Sequence, residues 1–128
     1  MKLFRWLMSL LGISAATTAI GASAAQKVEH AVVVHFAYGS KDLSRLFVLE
    51  KKLESAITKT GVGEYDGNEV AIDGSDGYLY MYGPDADLLF RVVEPILKAT
   101  PFMAGAKAKK RYGPPEAGVK ESIVEIIP

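Results

Sequence analysis

The strongest constraint on the fold is a short pattern that occurs twice. Phe36-Ala37-Tyr38-Gly39 and Tyr80-Met81-Tyr82-Gly83 lie 44 residues apart, and each stands between a β-prone run and an amphipathic helix. A strand, a Tyr-Gly turn and a helix with one apolar stripe make a unit that cannot bury its apolar surface alone. Two such units folded against each other can, and the right-handed rule for crossovers leaves few arrangements.

The elements read as follows. Residues 30–38, His-Ala-Val-Val-Val-His-Phe-Ala-Tyr, predict a central strand, β-branched and nearly continuous in apolar character. Ser40 and Asp42 are candidate N-caps for a helix from Leu43 to Thr60. Leu46, Leu49, Leu53, Ala56, Ile57 and Thr60 form its stripe, while Arg45, Lys52 and Lys59 lie away from it. Gly61 and Gly63 end it. A hairpin follows: Asn68 to Asp73, with Val70 and Ile72 on one face, then Gly74-Ser75-Asp76-Gly77, then Tyr78 to Tyr82. In that last strand Tyr78, Tyr80 and Tyr82 share one face, Leu79 and Met81 the other.

Asp85 caps a second helix, Ala86 to about Ala99, striped by Leu88, Leu89, Val92, Val93, Ile96 and Leu97. Pro95 predicts a kink, and Thr100-Pro101 a stop. Residues 106–112 and 119–127 read as strands around Gly113-Pro114-Pro115. The last is placed beside the fourth strand or left as a tail. The expected fold is therefore α+β, a ferredoxin-like βαββαβ sandwich with an antiparallel sheet, both helices on one face, and an extra C-terminal strand.

Asp66-Gly67-Asn68-Glu69, Tyr82-Gly83-Pro84-Asp85-Ala86-Asp87, Glu94-Pro95 and Arg111-Tyr112-Gly113-Pro114-Pro115 together resemble a group of short bacterial ferredoxin-like α+β proteins. The resemblance spans residues 31–127 and implies that fold. It brings no catalytic residues.

The first 25 residues have the three-part pattern of a signal peptide: Lys2 and Arg5, an apolar run from Leu7 to Ile20, and small residues at Ala22-Ser23-Ala24-Ala25. The run is shorter than the roughly 20 residues that span a bilayer, so no stable membrane anchor is expected after cleavage. The division predicted is residues 1–25 as signal peptide and 26–128 as one domain, exported to the periplasm or secreted. Losing Lys2 and Arg5 leaves 13 of the 15 basic residues against all 15 acidic ones, a net charge of −2. That balance argues against nucleic acid as a partner.

Chemistry is sparse. The chain has no Cys, which excludes thiol catalysis, thiolate metal sites and disulfides. Its two histidines, His30 and His35, point to opposite faces of one strand and cannot share a metal. Glu64, Asp66, Glu69, Asp73 and Asp76 cluster among glycines, but not at calcium-loop spacing, and Asp-Gly pairs are what hairpin turns require. Neither a cofactor motif nor a metal motif is present, and no catalytic residue is assigned. Lys107, Lys109 and Arg111 alternate onto one face, either as a guard against edge-to-edge pairing or as a basic docking patch.

The surface to suspect is the sheet face opposite the helices. If Val32, Val34, Phe36, Leu79 and Met81 face the helices, the other side shows Ala31, Val33, His35, Ala37, Tyr78, Tyr80 and Tyr82. That is less polar than a solvated sheet face should be. The expected function is a small non-catalytic module that binds a ligand, a protein partner or a second copy of itself there, with His35, Tyr78, Tyr80 and Tyr82 as its contact residues. Two alternatives stand beside it: a cofactor-free enzyme of the dimeric α/β-barrel type, with a cavity near His35 and the tyrosines, and a periplasmic partner or inhibitor protein.

Overall fold

Five strands pair antiparallel throughout, ordered across the sheet as the second, third, first, fourth and fifth in the chain. The computed structural model describes residues 29–128; the signal-peptide pattern lies outside the described residues. The elements are β1 (His30–Ala37), α1 (Ser44–Thr60), β2 (Glu64–Val70), β3 (Asp76–Gly83), α2 (Ala86–Lys98), a 3-10 turn (Pro101–Met103), β4 (Lys107–Arg111) and β5 (Glu121–Glu125). Strands β1 and β2, joined through α1, run the same way with β3 between them; β3 and β4, joined through α2, do likewise around β1. This is the ferredoxin-like order expected from the repeated unit, extended by β5 at the edge.

Strand alternation builds the core. Val32, Val34 and Phe36 of β1, Leu79 and Met81 of β3 and Ala108 of β4 point to the helix side and are buried. Leu46, Leu49, Leu53 and Ile57 of α1 meet them, with Ala86, Leu89, Phe90, Val93 and Leu97 of α2. Burying one such large side chain stabilises the fold by about 1.5–3 kcal/mol. Helix α2 is rotated slightly from the expected stripe: Phe90 is buried, Val92 and Ile96 pack at the margin, and Leu88 is 40% exposed. Lys110 reaches over the Phe90 ring from β4 and covers that side. The helix runs through Pro95, which faces solvent.

Local chemistry sets the ends. Asp42 accepts hydrogen bonds from the Ser44 backbone N–H (3.0 Å) and the Ser44 hydroxyl (2.7 Å) just ahead of α1. These bonds favour the ionised carboxylate and hold Asp42 below its usual range. Gly61 closes α1 with φ +69°, a left-handed conformation that suits glycine. Asp85 caps α2 as expected, accepting from the Asp87 and Leu88 N–H groups at 3.0 and 3.1 Å.

Some boundaries differ from the sequence reading. Strand β2 begins at Glu64 rather than Asn68, with a bulge between Tyr65 and Gly67. Ile72 does not continue the strand; it sits fully exposed in the turn closed by Gly74 N–H to Ala71 C=O and Ala71 N–H to Asp76 C=O. The C-terminal segment is the strand expected beside the fourth and not a tail: β5 pairs along β4, and the buried Ile126 exchanges bonds with Gly105 and Ala106.

Candidate binding face

The register of the sheet arranges the uncovered face in rows. One row runs Glu64, Tyr82, Ala31, Arg111, Glu121; the next Gly67, Tyr80, Val33, Lys109, Ile123; the third Glu69, Tyr78, His35, Lys107, Glu125. Read across the strands, an acidic column on β2 is followed by a tyrosine column on β3, a small apolar column ending in His35 on β1, a basic column on β4 and a mixed column on β5. All of the residues singled out from the sequence, His35, Tyr78, Tyr80, Tyr82, Lys107, Lys109 and Arg111, are on this one face.

The aromatic groups form a ladder. The His35 imidazole stacks on Tyr78 with centroids 4.5 Å apart and planes at 21°. Tyr78 stacks in turn with Tyr80, at 6.2 Å and 22°. Two of their polar groups are engaged within the sheet. His35 Nε2 lies 2.7 Å from Asp76 Oδ2, and the Tyr80 hydroxyl donates to Glu69 Oε1 at 2.5 Å. Partial burial, then the Glu69 carboxylate, raises the Tyr80 pKa well above that of an ordinary tyrosine. Tyr82 is raised as well, first by burial and then by Asp66, with Arg111 opposing.

Asp76 and Glu69 were not picked out by the sequence reading as members of this face. The signal for Asp76 was present, since alternation backwards from Tyr78 places residue 76 on the same side. Glu69 is found only through the β2–β3 register, which the bulge resets. The basic column is also paired: Lys107 with Glu125 at 3.4 Å and Lys109 with Glu121 at 3.9 Å, while Arg111 Nε donates to the Gly113 carbonyl at 2.6 Å.

His30 lies on the other side of the sheet, where its Nδ1 accepts from the Ala86 N–H at 3.1 Å at the start of α2. The two histidines therefore serve different faces. Of the acidic cluster, Asp73 accepts from the Ser75 N–H at 2.9 Å and shapes the hairpin turn. Among the described residues no group of three or more histidine or carboxylate side chains is arranged to hold a metal ion. Chemically the face offers flat rings and apolar patches bordered by charge. Ile123 is 62% exposed and Tyr78 39%. Comparison of the chain with protein-family models, with curated proteins and with solved structures returned no match.

Proposed function

We propose that this protein is an exported, non-catalytic module that associates with a second copy of itself through the open sheet face. The observation that carries the reading is the His35–Tyr78–Tyr80 ladder. Two of its polar groups, His35 Nε2 and the Tyr80 hydroxyl, are bonded inside the sheet, and what it offers outward is chiefly stacked ring surface, with Tyr78 the more exposed of its tyrosines. Covering apolar surface is favourable by about 25 cal/mol per Å². Export rests on the signal-peptide pattern of residues 1–25.

Tyr80→Glu tests it. The substitution puts a carboxylate beside Glu69 in the middle of the face and leaves the helix-packed core untouched. Sedimentation velocity is expected to show a dimer for the wild type and a monomer for the variant, with matching far-UV circular dichroism. A wild type that stays monomeric at high micromolar concentration overturns the reading.

A second reading is favoured by the His35–Asp76 pair. A carboxylate that orients an imidazole is the arrangement of a general base. Two stacked faces would enclose His35 and the tyrosines as in a cofactor-free enzyme of the dimeric α/β-barrel type. Its mark would be a turnover lost in His35→Gln while the dimer persists.

A further inference from the structure

A second candidate site lies on the helix layer, on the opposite side from the sheet face. A cleft of about 270 Å³ opens between α1 and the turn after α2, lined chiefly by Arg45, Val48, Leu49, Lys52, Pro101 and Phe102. Arg45, Leu49 and Lys52 fall at i, i+4 and i+7, so one side of α1 supplies a cation, an apolar floor and a second cation, the cations about 10 Å apart along the axis. Val48 is 55% exposed at the mouth.

The two cations are not tied into ion pairs among the described residues, and Asp42 is the carboxylate whose charge reaches Arg45. The Arg45 guanidinium lies over the Tyr38 and Phe102 rings, 5.0 and 5.3 Å from their centroids. Those rings meet edge to face at 5.1 Å and fix the guanidinium in place. Among the described residues no salt bridge or side-chain hydrogen bond engages Arg45 or Lys52. Asp42, whose charge acts on Arg45, has its Oδ1 bonded to Ser44. The end of α2 borders the cleft with its negative dipole end, but the Thr100 hydroxyl and N–H occupy the Ile96 and Leu97 carbonyls, and Lys98 sits in the last turn.

We propose that this cleft binds a free amphiphilic carboxylate, its chain on Val48, Pro101 and Phe102 and its carboxylate between Arg45 and Lys52. A guanidinium held over rings keeps its N–H edge for a carboxylate, which it recognises in bidentate fashion. The volume is just below the roughly 300–1,000 Å³ typical of drug-sized ligand pockets, which fits a short chain rather than a bulky ring system.

Octanoate is the probe, with acetate as charge without chain and 1-octanol as chain without charge. Titration into ¹⁵N-labelled protein, followed by amide NMR, is expected to give saturable shifts at residues 45–52 and 99–102. Acetate and 1-octanol should bind at least about tenfold more weakly. Lys52→Gln, an exposed change, should weaken octanoate by roughly tenfold, the scale of one charge-assisted contact. Val48→Glu should abolish binding with the urea midpoint unchanged, because it places a carboxylate at the exposed mouth. The proposal is overturned if 1-octanol binds as tightly as octanoate, if Lys52→Gln and Val48→Glu leave binding intact, or if shifts do not saturate or fall on the sheet face. A wild type that is monomeric yet binds octanoate would separate this site from the self-association reading.

Discussion

The Tyr80–Glu69 contact is where burial and charge act on one proton. Burial removes water from the phenol, the Glu69 carboxylate accepts its hydrogen, and both favour the neutral form, burial the more. A tyrosine in an unfolded chain ionises near pH 10. Folded Tyr80 keeps its proton there, so its contribution to stability is present below about pH 10 and is lost as the pH rises beyond it, where the unfolded state ionises first. Phenolate absorbance titration of the folded protein is expected to show a late step, absent in Tyr80→Phe. Glu69→Gln should move that step to lower pH without restoring the ordinary value, because the larger cause, burial, remains. A return to the ordinary value would mean that the carboxylate alone sets the shift. His35 illustrates what a linear sequence withholds at this scale: its partner Tyr78 was foreseen on its face, but its bond to Asp76 joins residues 41 apart and follows only from the β1–β3 register, which sets Tyr78 opposite His35 and Asp76 opposite Ala37.

At the scale of elements, α2 makes the sharpest test, because adjacent leucines do different jobs. Leu89 is fully buried and Leu88 is 40% exposed. Leu89→Ala should cost about 2–5 kcal/mol, the range for emptying a buried leucine site. Leu88→Ala should stay within about 0.5 kcal/mol, as surface changes do. Urea melts measure both, and equal losses would show that the helix presents a different face to the sheet. Most elements were legible because their periods are clean: the 3.6-residue stripe of α1, and the strict alternation of β3 that assigned Leu79 and Met81 to the core and the tyrosines to the open face. The first half of β2 was not legible, since Glu64-Tyr65-Asp66-Gly67 has the composition of a turn and becomes strand only by pairing with β3 across a bulge. The cleft at Arg45 was equally hidden. Arg45 and Lys52 read as a solvated flank of the stripe, and only the turn at Pro101–Met103 brings Phe102 beneath Arg45.

For the molecule as a whole, the order of columns on the open face dictates how two copies can meet. A two-fold axis parallel to the strands, between β1 and β3, lays the acidic β2 column of one copy over the basic β4 column of the other. An axis across the strands lays each column over its own kind and sets like charges together, which is unfavourable. The self-association reading therefore implies the first geometry, with the tyrosine column resting on Val33 and His35 of its partner, Ala31 being fully buried. The intrachain pairs Lys107–Glu125 and Lys109–Glu121 do not forbid it: at 3.4 and 3.9 Å, with side chains about half exposed, they hold weakly and can be exchanged. Two measurable consequences follow. Dimerisation should weaken as salt is raised from roughly 0.01 M, where the Debye length is about 30 Å, to 1 M, where it is about 3 Å. Lys109→Glu, at the centre of the basic column, should weaken it strongly at low salt and much less at high salt, where the lost attraction was already screened. Sedimentation velocity at the two ionic strengths reads both effects. A dimer indifferent to salt and to Lys109→Glu, yet broken by Tyr80→Glu, would keep the face and discard this axis, since the rings would then carry the association without help from the charged columns.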